Sequence, residues 1–248
     1  MQRMMFNFNN LIIVILFLIC SCGEEEIYLV GLKGTLKGYI YGVSQVDGSG
    51  PLENTLVTIE GSDPEITLRT DSNGKFSISD LETGTYHIVF SKAGYGKHKI
   101  LGYTFVGGSV PSTVTTTLYA LPSIEIKDLD VSIIKSGPYI WLNGSIYVDL
   151  PETVGEYGYF RYYLDNQPDV SPTRYIESDI LAYFYPGSSN NFSKPLNTTK
   201  FPLGSDLYLV IYPCSDQLAG YPDLETGNKI YSSISLKGSE VISIKIPM

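Results

Sequence analysis

The stretch that decides the fold is Thr85-Tyr86-His87-Ile88-Val89-Phe90. Successive residues of an extended strand point to opposite sides, so the side chains of Tyr86, Ile88 and Phe90 share one face. His87 then points to the other face. This period of two residues is typical of a strand that buries one side. We therefore expect Tyr86, Ile88 and Phe90 in a hydrophobic core.

Similar short alternating segments recur along the chain, separated by Gly, Pro, Asn and Asp, and no helical period is convincing after residue 26. This pattern is typical of β-sandwiches and predicts an all-β fold. Asp71-Ser72-Asn73-Gly74 is predicted to be a tight hairpin, because Gly74 can adopt the positive φ that such a turn needs. Strands are predicted near residues 35–41, 55–60, 65–70, 75–78, 85–91, 99–105, 114–120, 125–134, 140–149, 158–165, 175–184, 206–212, 230–236 and 241–246.

A boundary between two domains is predicted at Leu121-Pro122-Ser123, since proline interrupts the hydrogen-bond ladder of a sheet. Residues 33–121 and 122–248 then form two tandem β-sandwich domains, each large enough for its own two-layer core. Besides Tyr86, Ile88 and Phe90, the core of the first domain is expected to include Leu56, Val57 or Ile59, and Phe76.

The N-terminal segment has the features of a signal peptide, predicted for residues 1–21. Arg3 supplies a positive charge, and residues 11–20 form an apolar run of ten residues. That run is shorter than the about 20 residues needed to span a bilayer. A buried core strand or a short membrane anchor is the alternative interpretation.

The junction Ile19-Cys20-Ser21-Cys22 resembles the lipobox of bacterial lipoproteins, in which a small residue precedes a cysteine that is acylated. Cys20 is the poorer candidate because it follows a bulky isoleucine. The resemblance implies that Cys22 carries the lipid and becomes the mature N-terminus. Acyl chains contribute about 0.8 kcal/mol per buried CH₂, so two or more give stable membrane anchoring.

Residues 22–32 are predicted to be an acidic tether, because Glu24, Glu25 and Glu26 directly follow the lipobox. A short acidic run is commonly a solvated linker. The run also resembles the surface-export signal of Bacteroidetes lipoproteins. The resemblance implies a lipid-anchored outer-membrane protein at the cell surface; a simple tether remains the alternative.

Four blocks of the first half follow one another in the order of a known family: GYIY at 38–41, PLENTLVTI at 51–59, TDSNGKF at 70–76 and GTYHIVFSKAGY at 84–95. They resemble the carboxypeptidase regulatory-like domain, a transthyretin-like sandwich, over about residues 33–120. The loop at 42–50 is longer here. The resemblance implies a non-catalytic domain that acts as a spacer, a folding platform or a docking surface.

The second half, including GYFRYY at 158–163, is similar to immunoglobulin-like or fibronectin-like domains at the level of architecture alone. Together the halves resemble Bacteroidetes lipoproteins, many of which accompany glycan-uptake systems. This resemblance implies a non-catalytic accessory or interaction subunit of an outer-membrane assembly. The alternative is a carbohydrate-binding lipoprotein that uses exposed aromatic side chains of its second domain.

The composition argues against several other functions. With 17 basic and 26 acidic residues the net charge is −9, which argues against nucleic-acid binding. Three cysteines and two histidines are too few for a disulfide framework, a zinc cluster or histidine-based catalysis. Once Cys20 is removed and Cys22 is acylated, Cys214 remains. No histidine lies in its half of the chain, so we expect a buried, unreactive thiol rather than a nucleophile.

Catalytic and metal-binding motifs are also missing from the sequence. The turn at 71–74 superficially resembles a calcium loop, but Lys75 and Phe76 occupy positions that need an oxygen ligand and a glycine. Gly94-Tyr95-Gly96 lacks the third glycine and the helix of a phosphate-binding loop, so a β-turn is expected. G-x-S-x-G and H-E-x-x-H do not occur, and no spacing pairs two carboxylates. We predict no enzyme activity, no metal and no cofactor.

The second half is rich in aromatic residues, with 13 of the 20 tyrosines and the single tryptophan, Trp141. Core packing and cross-strand pairing should account for most of them. Over residues 157–164, however, alternation allows only one face of the strand to lie in the core. If that face carries Phe160, Tyr162 and Leu164, the other carries Tyr157, Tyr159, Arg161 and Tyr163. These four residues are the predicted binding strip, whose exposure would suit a protein partner or a neutral glycan.

Overall fold

The computed structural model of the chain describes residues 31–44, 47–148, 158–184 and 190–248, and the side chain of Phe184 is not included. The signal peptide, Cys22, the acidic run and Tyr157 lie outside these residues. The described chain contains 17 strands and no helix, which confirms the all-β prediction. Accordingly, no helix in these ranges could cross a membrane.

The strands of the first half are β1 (Lys33–Ser44), β2 (Gly48–Pro51), β3 (Leu56–Glu60), β4 (Ile66–Arg69), β5 (Lys75–Glu82), β6 (Gly84–Ser91), β7 (His98–Phe105) and β8 (Gly108–Tyr119). All seven strands predicted in the first half are present, and β2 is an additional strand in a segment that was expected to be a loop. In one sheet, β1 pairs with β2 and β5 antiparallel and with β8 parallel. The other sheet has the order β4-β3-β6-β7.

The first core lies between these two sheets. As alternation predicts, Tyr86, Ile88 and Phe90 are buried in it, together with Val57, Ile59 and Phe76. Leu56 is only half-buried, because it faces away from the core.

The tight turn predicted at 71–74 forms, but it is not a hairpin, because it joins β4 and β5, which belong to different sheets. Gly74 has a φ of 70°, and a Cβ there would lie 2.4 Å from the Ile40 carbonyl oxygen. The backbone amides of Asn73 and Lys75 each donate to the Asp71 carboxylate at 2.8 Å. The carboxylate therefore closes a turn that leads the chain from one sheet to the other.

The second half contains β9 (Ile126–Ser136), β10 (Tyr139–Val148), β11 (Gly158–Asp165), β12 (Glu177–Phe184), β13 (Asn190–Pro195), β14 (Asp206–Cys214), β15 (Gly220–Pro222), β16 (Lys229–Tyr231) and β17 (Ile242–Lys245). One sheet has the order β13-β10-β9, and the other has the order β12-β11-β14-β17. The second core includes Phe160, Phe201, Leu207 and Ile211. The short strands β15 and β16 pair only with each other.

Three strands of the second half differ from the predicted ones. β13 was not predicted because its sequence, NNFSKP, is mostly polar, although Asn190 and Phe192 are buried. β15 is too short to show a period. The predicted strand at 230–236 is reduced to β16, with a single further bridge between Ile234 and Cys214.

The two halves are in direct contact. The Ser215 hydroxyl donates to the Ala120 carbonyl oxygen at 2.6 Å. Strand β15 packs against β7 of the first half. The hydrophobic clusters of the halves share no residue, since one runs from Leu36 to Leu118 and the other from Ile124 to Ile246. A domain boundary at 121/122 remains a prediction that these clusters support.

Candidate binding cleft

The predicted binding strip on β11 is not an exposed surface. Phe160, Tyr162 and Leu164 face the second core as alternation predicts. On the other face, however, Tyr163 is 0% exposed and Arg161 is 3% exposed. Tyr159 is half-buried, and its ring packs against the Tyr183 ring with 4.8 Å between the centroids. The prediction of an exposed strip is therefore wrong for Arg161 and Tyr163.

A second layer of tyrosines covers this face. The rings of Tyr175, Tyr212 and Tyr231 lie 5.1, 5.9 and 6.4 Å from the Tyr163 ring, and all three meet it edge-on. We call these four residues the tyrosine cluster. Edge-to-face contacts of this kind stabilise a packed layer beyond the area that they bury. The segments after β11 and around β16 thus form a cover that strand alternation could not reveal.

Arg161 joins this cover to the sheet. One terminal nitrogen of its guanidinium donates to the Ser178 hydroxyl at 3.2 Å, and the other donates to the Gln217 carbonyl oxygen at 2.6 Å. Its central carbon lies 3.4 Å from the centroid of the Tyr231 ring. Within the described ranges no carboxylate forms a salt bridge with it. Neutral acceptors and an aromatic face therefore stabilise this buried cation.

We expect Arg161→Met to lower the free energy of unfolding by about 2–3 kcal/mol, because the Gln217 carbonyl loses a charged donor while apolar volume is kept. Urea unfolding, followed by the fluorescence of Trp141, measures the change. Arg174→Met is the matched control, since Arg174 forms an exposed ion pair with Asp169 and should cost less than about 1 kcal/mol. Equal stability of the two variants would contradict the role of Arg161.

Cys214 packs beside this arginine and is fully buried, as predicted. Burial raises the pKa of its thiol to about 12, and the nearby Arg161 lowers it only in part. The thiol therefore stays protonated at neutral pH, which makes it a poor nucleophile.

A cleft of about 420 Å³ opens between the two halves, next to the tyrosine cluster. This volume is within the range of small-molecule sites, which often lie between domains. The first half lines it with Tyr95, Gly96, Lys97 and Leu121, and the second half with Pro172, Tyr212, Tyr221, Ile230, Ser232, Ile234, Ser235 and Leu236. Tyr212 belongs to both the cluster and the cleft. The aromatic layer on β11 thus continues into an open site through Tyr212.

Two glycines allow the close packing that forms the cleft. A Cβ on Gly96 would lie 1.9 Å from the Ser232 carbonyl oxygen, so only glycine allows the halves to approach this closely. A Cβ on Gly238 would lie 2.7 Å from the ring of Tyr212, so the backbone there packs directly on that ring. The predicted β-turn lies two residues earlier, over 92–95, with the Tyr95 amide donating to the Lys92 carbonyl at 3.1 Å.

The lining of the cleft is aromatic and hydroxyl-bearing. Burial raises the pKa of both Tyr212 and Tyr221, so their hydroxyls stay neutral and can both donate and accept hydrogen bonds. Ser232 and Ser235 add two further hydroxyls, and Lys97 is the one charged residue among the described lining residues. Apolar ring surfaces beside uncharged hydrogen-bonding groups suit a neutral, polyhydroxylated ligand.

The described lining of the cleft contains no carboxylate and no histidine. In the described parts of the chain, no three metal-ligating side chains come together. His98 stacks on Phe90 with 6.4 Å between the rings. Burial, and secondarily Lys229, lowers its pKa, so this histidine is a neutral packing residue.

Tyr95 and Tyr221 were not predicted as site residues. Tyr95 ends a short turn and Tyr221 lies on the three-residue strand β15, so strand alternation carries no information at either position. A glycine-flanked tyrosine at 94–96 was the one available signal, and it indicated only a turn.

Comparison with known families gives one match, to part of the chain. Residues 42–119 match the family model of the carboxypeptidase regulatory-like domain. Three of the four sequence blocks of the first half lie within this range, and the match confirms the resemblance. No curated protein matches the chain.

Three solved structures cover most of the chain at low similarity. A candidate carbohydrate-binding protein from Bacteroides uniformis has a TM-score of 0.34 and 11% identity, over 84% of this chain and 99% of its own. A DUF3823 family protein from Parabacteroides merdae has a TM-score of 0.34 and 15% identity, over 85% and 99%. A DUF3823 family protein from Bacteroides ovatus has a TM-score of 0.32 and 14% identity, over 86% and 99%.

Proposed function

We propose that this chain is a non-catalytic surface lipoprotein that binds a neutral glycan in the cleft between its two halves. It would act as an accessory subunit of an outer-membrane assembly, such as a glycan-uptake system. The observation that carries this proposal is the convergence of Tyr95, Tyr212 and Tyr221 on one cleft.

The chemistry of the cleft supports a sugar ligand. Tyrosine combines an apolar ring with a polar hydroxyl, so it can pack on the C–H face of a sugar and bond to its hydroxyl groups. The Tyr212 ring is held in place before binding, since it packs on Gly238 and against Tyr163. A preorganised site avoids part of the entropy cost of binding. The net charge of −9 disfavours an anionic ligand over a neutral one.

We expect Tyr95→Ala and Tyr212→Ala each to weaken glycan binding by about tenfold, because central aromatic anchors typically contribute more than ~1–2 kcal/mol. A glycan array on the soluble fragment 27–248 identifies the ligand, and calorimetry then measures its affinity for each variant. Tyr139→Ala is the matched control, since this exposed tyrosine lies on the β9–β10 hairpin away from the cleft.

Circular dichroism of each variant separates lost binding from lost folding. If folded Tyr95→Ala and Tyr212→Ala proteins bind like the control, the cleft is not the site. The earlier candidate Tyr163 is unsuitable for this experiment, because its ring is fully buried and its removal tests packing.

A protein partner is the second candidate, and a surface of the first half favours it. Tyr39 and Tyr41 are exposed in line on β1, and across from them lie Thr115 and Thr117 of β8. Exposed tyrosines are enriched in protein interfaces. This sheet face would contact an outer-membrane protein if the chain is an accessory subunit without a glycan ligand.

The anchor belongs to the same proposal. We expect Cys22→Ala to release the chain from the membrane fraction or to leave an unprocessed precursor, because acyl chains alone provide stable attachment. Fractionation of cells and the mass of the mature protein measure both outcomes. Ser21→Ala keeps a small residue before the cysteine and should behave as wild type. A Cys22→Ala chain that is processed and membrane-bound would contradict lipidation.

A further inference from the structure

Three exposed aliphatic side chains lie on neighbouring backbone segments at one end of the first half. Leu32 is 45% exposed, Val106 is 61% exposed and Val110 is 79% exposed. Leu32 directly precedes β1, while Val106 and Val110 flank the turn between β7 and β8. We call these three residues the apolar tip.

Backbone contacts hold the tip together. A Cβ on Gly34 would lie 2.9 Å from the Gly107 Cα, and a Cβ on Gly107 would lie 3.4 Å from the Leu32 carbonyl carbon. The Thr83 amide donates to the Leu32 carbonyl oxygen at 2.8 Å. The β7–β8 turn and the start of β1 therefore form one surface rather than separate exposed residues.

One ion pair lies beside the tip. Lys33 forms an exposed salt bridge with Glu82 at 3.3 Å. Lys33 therefore neutralises Glu82, so this carboxylate does not repel an anionic lipid surface at the tip. Clustered exposed aliphatics are a feature of interaction sites, whereas single ones are ordinary.

We propose that the apolar tip contacts the headgroup and upper acyl region of the same bilayer that holds the lipid on Cys22. This inference rests on the proposed lipidation. Leu32 lies ten residues after Cys22, so the tether between them spans at most about 35 Å. The tip is therefore the described surface that follows the tether most directly, and a lipid surface is its nearest available apolar partner.

This contact would give the chain a defined orientation. Strand β1 has 12 residues and runs away from the tip for about 35–40 Å. At its far end the Ala120 amide donates to the Val43 carbonyl, and Tyr95 of the cleft bridges to Ala120. A tip on the membrane would hold the cleft far from the bilayer, where a glycan can reach it.

The experiment uses the lipidated full chain in vesicles of phosphatidylethanolamine and phosphatidylglycerol. An environment-sensitive NBD label is attached at Val110→Cys, and separately at Val106→Cys in case one substitution disturbs the turn. Cys214 is fully buried and will not compete for the label. Ser49→Cys is the matched control, because it pairs with Val43 at the far end of β1.

The expected result is a blue shift of NBD emission at both tip positions and a loss of fluorescence on adding brominated lipid, with neither change at Ser49→Cys. If the chain stays on the vesicles but the tip labels remain aqueous, the tip proposal is overturned and the anchor stands. A blue shift without quenching by brominated lipid also overturns it, since a second copy or another protein then covers the tip. A chain that does not stay on the vesicles, with aqueous labels, overturns both the anchor and the tip contact.

Discussion

Truncating Phe90 to alanine is expected to lower the free energy of unfolding of the first half by about 3–5 kcal/mol, the usual cost of removing a buried phenylalanine. Phe90 is 0% exposed on the central strand β6. Its ring lies 6.3 Å from that of Phe76 and 6.4 Å from that of His98. Its backbone pairs with Val57 on one side and with His98 on the other. A cavity here would remove contacts to both layers of the sandwich.

The expected loss of about 3–5 kcal/mol on Phe90→Ala is close to the whole free energy of unfolding of many domains of this size. Far-ultraviolet circular dichroism follows both halves during urea unfolding, while Trp141 fluorescence reports the second half alone. If the halves have independent cores, Phe90→Ala shifts the first transition and leaves the Trp141 transition nearly unchanged. Tyr41→Ala, an exposed substitution in the same half, is the control. An equal shift of both transitions would contradict the two-domain prediction.

The core of the first half could be predicted because the relevant information is local. Alternation from Tyr86 to Phe90 places three side chains on one face, and one face of each strand in a two-layer sandwich must be buried. The same reasoning placed Phe160, Tyr162 and Leu164 correctly in the second core. Polar or very short strands such as β13 and β15 were missed, because they carry little or no periodic signal.

The site could be predicted only in part. Alternation correctly separated the two faces of β11, but it does not show whether a face meets solvent or another layer. Tyr163 and Arg161 are buried because other segments cover them, with Tyr175 packing on Tyr163 and Tyr231 packing on Arg161. The cleft itself depends on the contact between halves, which no local pattern describes.

That contact leads to the second prediction, that Gly96→Ala will separate the halves locally and weaken glycan binding by about tenfold or more, a loss of about 1.4 kcal/mol or more. Its new Cβ would lie 1.9 Å from the Ser232 carbonyl oxygen and 2.6 Å from the carbonyl carbon. Both are backbone atoms, which cannot turn away as a side chain can, so Ser232 must move. Ser232 lines the cleft, and β15 and β16 before it carry Tyr221 and Tyr231. A shift there changes the spacing of the aromatic rings without opening either core.

Gly50→Ala is the control, because a Cβ at Gly50 meets nothing within 4 Å and its φ is not in the left-handed region. Small-angle scattering should show a larger maximum dimension for Gly96→Ala than for this control, while both melt like wild type. Normal binding and an unchanged dimension would mean that the halves do not meet as closely as Gly96 and Ser232 indicate. If binding falls without any change in dimension, the junction stays closed and the ring spacing alone is altered. In that case the cleft still binds the ligand, and the affinity for the ligand depends on the position of the Ser232 backbone. Only glycine at position 96 leaves room for that backbone.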